Sequence, residues 1–323
     1  MDKNNIGPRD LVFRADAIRA GRTDSELNRE VHAGSSQRVW HGAYLPVAGD
    51  ESTLSYAAKL ERYRATVIAA SLNGGPNRTA SHFSAAAMHR IPMLNPDFSL
   101  VHFTSTTTGK HIKRGIIHQA ALRESDIVVV DDTQVTSLAR SVCDVARMGT
   151  LVQAVCVLDS GLHLGVTTAE LDTQLKLLSR RRGIAMLRSA LVLANGLSES
   201  VGETVSRVGL ADCPLIPVPE LQVEIEVELG GRRQTVRGDF GWRDRSGRLR
   251  VVGEFDGRFK YHRTKPFADD RLPEDVIYDE KLREDAIRAT GPQVVRWTWS
   301  DARRPKVLHP RVIAALRAAG IVQ

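Results

Sequence analysis

Aromatic side chains are scarce, at 5% of 323 residues. That is too few to build a base-stacking platform for single-stranded nucleic acid. There are three cysteines, Cys143, Cys156 and Cys213. They lie in apolar surroundings and share no metal-ligand spacing, which excludes a disulfide framework and a zinc cluster. Reduced core thiols of a cytoplasmic protein are expected. No run of eighteen apolar residues occurs, and the first ten residues, MDKNNIGPRD, lack the apolar stretch of a secretory leader. A soluble, cytoplasmic protein without a membrane partner is the expectation. Internal repeats are also missing.

What is present is ordinary in amount and basic in balance. Hydrophobic residues make up 42% and charged residues 26%, with a net charge of +7 and a pI near 9.5. Real cores can form, and a polyanionic partner such as double-stranded DNA is permitted. The length suits two or three domains, and the segments fall at 1–50, 51–196 and 197–323.

In the first segment, Leu11, Val12, Ala15 and Ile18 carry a helical spacing that stops at Gly21. Thr23 with Glu26 three residues on forms a capping-box pattern, opening a second helix that ends near Gly34. The stretch SSQRVWHGAYLPV then reads as a hairpin around a His-Gly turn. Helix, turn, helix and hairpin is the winged helix-turn-helix order. Its nucleic-acid contacts would be Arg29 on the second helix, with Arg38 and His41 on the hairpin.

The second segment reads as mainly helical with a β-rich insert. FSLVHFTST and GIIHQAAL alternate like strands, and DIVVVDDTQVTS reads as one strand running into a helix cap. His82, His89, His102, His111 and His118 cluster in its front part, but their spacings match no metal motif. Ordinary core or surface histidines are expected. Lys176 to Arg188 is basic without an acidic residue and reads as a solvated helix face able to track a phosphate backbone.

The third segment carries the chemistry. Its order is a helix around SESVGETVSRVGL, the strand LQVEIEVEL, a hairpin from TVRGDFGW to LRVVGEFDG, the helix YDEKLREDAIRATG and the strand QVVRWTW. A mixed α/β sheet with helices on its faces follows. Glu254 and Asp256 stand two apart on a strand and so share a face. Folding about Arg245–Gly247 brings Asp239 near them. Clustered carboxylates repel unless a cation sits between them, and all-oxygen ligands select Mg²⁺ or Mn²⁺. Asp239, Glu254 and Asp256 are therefore candidate metal ligands of a phosphodiester-hydrolysing site. Lys260 would stabilise the phosphate or position the nucleophile, and Glu203 would complete the shell from its helix.

The stretches GETVSRVGL, RGDFGW, VVGEFDGRFKYH and DEKLREDAIRATGPQVVRWTW, in that order, resemble the very-short-patch-repair-like branch of the PD-(D/E)xK nuclease superfamily. The resemblance implies a restriction-endonuclease-like core in the last third of the chain. Asp239 would then match the motif's aspartate, Glu254 its second acid, and Glu203 the acid of the preceding helix. The sequence departs from the pattern at Asp256, which stands where the motif has its lysine; Lys260 would take over from it. The stretches RVWHGAYLPV, SHFSAAAMHRIP and VTSLARSVCDVAR are similar to actinobacterial proteins with an AbiEi-type antitoxin module. That likeness implies DNA binding, autoregulation and a toxin partner.

Two functions follow as expectations. One is a metal-dependent DNA endonuclease or nickase, guided to duplex by the winged helix. The other is a non-catalytic transcriptional regulator or antitoxin of a type IV toxin–antitoxin system. Three carboxylates favour the first, because a pure DNA binder gains nothing by facing phosphates with negative charge. Asp256 in the lysine position favours the second.

Overall fold

In a computed structural model of the chain, residues 6–46, 55–75, 77–257 and 273–323 are described. Lys260 and His262 lie outside them. The architecture is mixed α/β, with three sheets among the described residues. The chain divides into two compact units, Met1–Val192 and Leu193–Gln323.

The first unit opens with a 3-10 turn at Pro8–Asp10, followed by β1 (Val12–Phe13), α1 (Arg14–Arg19), α2 (Asp24–His32), β2 (Ser36–Trp40) and β3 (Ala43–Pro46). The first helix is shorter than its sequence spacing suggested. Val12 and Phe13, a β-branched and an aromatic residue, pair with Tyr44 and Ala43 instead. The resulting sheet has the order β1-β3-β2. The capping box forms as its residues dictate: Thr23 N donates to Glu26 Oε2 at 2.7 Å, and Glu26 N donates to Thr23 Oγ1 at 3.3 Å. Gly42, at φ +66°, makes the hairpin turn.

Next come α3 (Tyr56–Leu72), β4 (Thr79–Ala80), α4 (His82–Met88), β5 (Val101–Ser105), β6 (Lys110–Ile112), β7 (Gly115–Gln119), β8 (Ile127–Val130) and β9 (Thr133–Thr136). The strands make one sheet of order β6-β7-β5-β4-β9-β8. Helices still outweigh strands across this segment, with the strands as its β-rich part. DIVVVDDTQVTS is a correction: it is two antiparallel strands, with Val128 opposite Val135. Asp131 and Asp132 turn the chain in left-handed conformations, at φ +47° and +56°, which short polar side chains tolerate. The fully buried Arg64 of α3 pairs with Glu61 at 2.6 Å and with Asp131 at that turn. Leu11, Val39, Ala43 and Leu45 share one hydrophobic cluster with Leu60, Ile68, Phe103 and Val135. Part of the expected first module thus buries its apolar side chains in the same core as the second, while Ala17, Leu27 and Tyr44 form a small cluster of their own.

The unit continues through α5 (Leu138–Ala146), α6 (Leu151–His163), α7 (Thr168–Leu177) and α8 (Ile184–Leu193). Gly183, between α7 and α8, is required: its φ is +81°, and a Cβ there would meet the Arg147 carbonyl oxygen at 2.1 Å. Cys143 and Cys156 are buried free thiols, whereas Cys213 in the second unit is only partly covered.

The second unit contains α9 (Val201–Ala211), β10 (Glu220–Leu229), β11 (Arg232–Arg243), β12 (Leu249–Asp256), α10 (Pro273–Ala289), β13 (Gln293–Thr298), α11 (Trp299–Ala302) and α12 (Pro305–Ala318). Its sheet runs β10-β11-β12-β13. The first three strands are antiparallel, and β13 returns parallel to β12 after the α10 crossover. Ala286 and Ile287 of α10 pack on Val223, Ile225, Val252 and Val294. Toward α9, Gly202 abuts the Phe255 ring, and Trp297 Nε1 donates to Ser206 Oγ at 2.8 Å. Among the described residues, no helix is long and apolar enough to cross a membrane.

Candidate functional site

The strand period of two explains how the second unit builds a polar pocket beside its core. On β12, Val252, Glu254 and Asp256 share a face, and on β13 so do Val294 and Arg296. Val252 and Val294 lie under α10, while Glu254 sits in register with Arg296. Where the apolar pair ends, a charged pair begins. Together with Asp239 of β11, Gln222 of β10 and Arg283 of α10, these residues line a pocket of about 320 Å³.

Glu254 is its centre and is only 7% exposed. Arg296 donates to Glu254 Oε2 through Nε at 3.1 Å and Nη2 at 2.7 Å. Arg283 Nη1 stands 3.3 Å from Oε1, yet that oxygen is buried without a hydrogen bond among the described residues. Arg296 also reaches Glu280 at 3.1 Å and Glu284 at 3.2 Å. Burial alone would lower its pKa; the Glu254 carboxylate, with Glu280 and Glu284 behind it, raises the guanidinium above the ordinary arginine value. Asp239 Oδ2 accepts from Phe255 N at 2.7 Å, which clamps β11 to β12 between the two acids. Asp256 is half-buried at the pocket's edge.

Three residues proposed from sequence therefore converge: Asp239, Glu254 and Asp256. Glu203 stands behind the pocket rather than in its wall. Its Oε2 accepts from Glu199 N at 2.8 Å and from Gln222 Nε2 at 2.9 Å, and its Oε1 accepts from Ser200 Oγ at 2.7 Å. Glu203 thus orients Gln222, which does line the pocket. The arginines were missed from sequence. Arg283 is far along the chain, and Arg296 lies 42 residues beyond Glu254. The available signal was the alternation of VVR on β13, which sets Arg296 on the face of Val294.

The donor set is all oxygen, which suits a hard divalent cation, and the unbonded Glu254 Oε1 is a further oxygen to offer it. As the side chains stand, guanidinium groups neutralise Glu254. Among the described residues, no group of three or more His, Cys, Asp or Glu side chains is arranged to hold a metal ion.

In the first unit, Arg29 on α2, Arg38 on β2 and His41 at the hairpin turn are all exposed. His82 and His102 are buried core histidines and His111 is exposed, but three of the five meet in space. His102 and His118 sit on adjacent parallel strands, with His102 Nδ1 3.0 Å from His118 Nε2. The His82 ring stacks on His118 at 3.9 Å, and His82 Nε2 lies 4.0 Å from Asp144 Oδ1. Sequence spacing could not show this, because β5 and β7 become neighbours only in the sheet.

No protein-family model matches the chain. It is 27% identical over 299 residues to two proteins of Mycobacterium tuberculosis, the uncharacterized protein MT2308 of strain CDC 1551 / Oshkosh and the uncharacterized protein Rv2248 of strain ATCC 25618 / H37Rv. Each match covers 92% of this chain and 98% of the relative. Among solved structures it is similar to the RV2827C protein from M. tuberculosis, with a TM-score of 0.36 and 14% identity over 67% of this chain and 83% of that one. A likeness of that size assigns no fold.

Proposed function

We propose that this is a DNA-binding protein whose second unit is a metal-dependent endonuclease or nickase. The observation that carries the reading is the convergence of Asp239, Glu254 and Asp256 on one pocket, where a buried Glu254 oxygen has no hydrogen bond among the described residues. A divalent ion, Mg²⁺ or Mn²⁺, would be held by these three residues. When bound it supplies an activated water and charge neutralisation at the phosphate. Arg237, paired with Glu199 at 2.8 Å, and Arg283, 3.3 Å from Glu254, line the pocket wall, and Glu203 acts through Gln222 as a positioning residue. The strand order β10-β11-β12-β13 with its α10 crossover is compatible with a restriction-endonuclease-like core.

The first unit would guide the protein to duplex. Its α1, α2 and β1-β3-β2 sheet are read as a winged helix, with exposed Arg29 on the recognition helix and Arg38 and His41 on the wing.

A second reading has its own observation. Arg296 already neutralises Glu254, and Asp256 stands in the place of the superfamily's lysine. Both favour a non-catalytic regulator or antitoxin that binds DNA and a toxin partner. Supercoiled plasmid separates the two. On the nuclease reading the purified protein nicks or linearises it with Mg²⁺ or Mn²⁺ and not with EDTA, and Asp239→Asn and Glu254→Gln abolish the activity. Intact plasmid under both metals, with duplex still bound, selects the regulator.

A further inference from the structure

The first unit holds a pocket of about 390 Å³ between β2, α3 and residues 96–101, and its lining is of one sign. Arg38 comes from β2, Lys59 and Arg62 from α3, and Arg114 from the turn before β7. No carboxylate lines it among the described residues. Arg38 and Lys59 are exposed, and their side chains form no hydrogen bond or ion pair with any described residue. Arg114 is fixed in place: its Nη1 donates to the Val39 carbonyl at 2.9 Å, and its guanidinium lies 5.5 Å from the centre of the Trp40 ring. Tyr63 and Phe98 stack at 4.5 Å with 20° between their planes, and both line the same pocket.

Cations held around one concavity repel one another. Arg38, Lys59 and Arg114 pair with no carboxylate among the described residues, whereas Arg64 pairs with Glu61 and Arg140 with Asp144 at 2.8 Å. An anion would relieve the repulsion here. Arginine forks suit phosphate oxygens, and lysine adds a mobile point charge. The half-buried Phe98 ring adds an apolar surface for a sugar or base beside the phosphate. We propose that this pocket binds the phosphate of a nucleotide unit, supplied either by a nucleic-acid backbone or by a free mononucleotide. The site is in the first unit, and it stands whether or not the second unit cleaves DNA.

The test uses the full chain in EDTA, so that it does not depend on nicking. Fluorescence anisotropy measures binding of a short labelled duplex between about 50 and 200 mM salt. Calorimetry measures binding of dAMP. Both are repeated on the double variant Arg38→Gln/Lys59→Gln and on Lys59→Arg. If the backbone is the ligand, the double variant binds duplex about tenfold or more weakly, its salt slope falls by about one to two, and dAMP does not bind. If a free nucleotide is the ligand, dAMP binds the wild type and loses about tenfold in the double variant, while duplex affinity holds. Lys59→Arg stays near wild type in either case, and the exposure of both positions leaves the melting temperature unchanged. Wild-type protein that binds neither probe overturns the proposal. So does a double variant that binds both probes as the wild type does.

Discussion

Arg296 places two N–H groups on a single oxygen of Glu254, at 3.1 and 2.7 Å, and the other oxygen is buried without a hydrogen bond among the described residues. The two residues face each other across β12 and β13 in parallel register. An acid buried at the end of a core strand is tolerated because this arginine accompanies it.

Removing the arginine therefore tests what else the carboxylate can hold. Arg296→Gln leaves Glu254 with Arg283 alone. The side chain of Arg296 is 28% exposed, so we expect a loss of about 1–3 kcal/mol rather than that of a fully buried pair. Millimolar Mn²⁺ should restore part of the melting temperature by binding the native state. The double variant Arg296→Gln/Glu254→Gln should lose both the instability and the rescue. A melting curve without any metal-dependent shift, in wild type and Arg296→Gln alike, removes the metal from this pocket.

Acid should weaken the first unit through its buried histidines and then through Asp126. Burial, and then the neighbouring His118, push His102 down to about 4 against the opposing pull of Asp97. His82 is held well below the imidazole range by burial, with Asp144 opposing and His118, His102 and Arg147 adding to it; His118 is lowered too, again chiefly by burial. These groups are neutral when folded and take up protons when unfolded. For His102 the stabilisation is complete above about pH 6.5 and is lost as pH falls toward about 4, on the order of 3 kcal/mol; His82 and His118 contribute in the same direction. Asp126, lowered to about 2 by Arg123 and Gln174 against the cost of burial, adds its loss only below about pH 4. Urea unfolding of His102→Gln between pH 7 and 5 should show a flatter dependence than wild type. Parallel curves would remove His102 as a source of the slope.

Gly202 sits on α9 where a Cβ would meet the Phe255 ring at 2.0 Å. Gly202→Ala should destabilise by about 1–3 kcal/mol through overpacking, despite alanine's better helix propensity. Phe255 lies between Glu254 and Asp256, so on the nuclease reading plasmid nicking should fall with it. A variant as stable as wild type would show that the ring moves aside at little cost.

The division of the chain predicts which fragments fold. Residues 193–323 should unfold cooperatively alone, because that unit has its own sheet, helices and apolar cluster. A protein lacking residues 1–46 should instead lose cooperative melting of the first unit, since Leu11, Val39, Ala43 and Leu45 share its core. Circular dichroism melting of both fragments decides this. An independently melting 47–323 fragment would make the N-terminal segment a separate module.

Local chemistry was legible in the sequence wherever a few adjacent residues settle it. The Thr23–Glu26 box opened a helix, Gly42 and Gly247 marked turns, and the period of two on LQVEIEVEL and LRVVGEFD named strands. The same period put Glu254 and Asp256 on one face, and folding about the Arg245–Gly247 turn brought Asp239 to them. Competing local signals were harder to weigh. Val12 and Phe13 fit a helix by spacing and a strand by shape, and pairing with β3 decided it. Asp131–Asp132 could have run on as one strand or turned back.

Partners distant in sequence were left to the tertiary structure. That Glu254 is answered by Arg296 and Arg283 follows from the α10 crossover and a parallel register. That His82, His102 and His118 meet follows from β5 lying beside β7. That Arg38, Lys59, Arg62 and Arg114 surround one cavity follows from a hairpin packing on α3. The physical reason is common to all three. A residue's type and its nearest neighbours set which faces are apolar and which groups are charged. Which charge then faces which depends on how strands register and helices cross, and that is decided by burial summed over the whole unit.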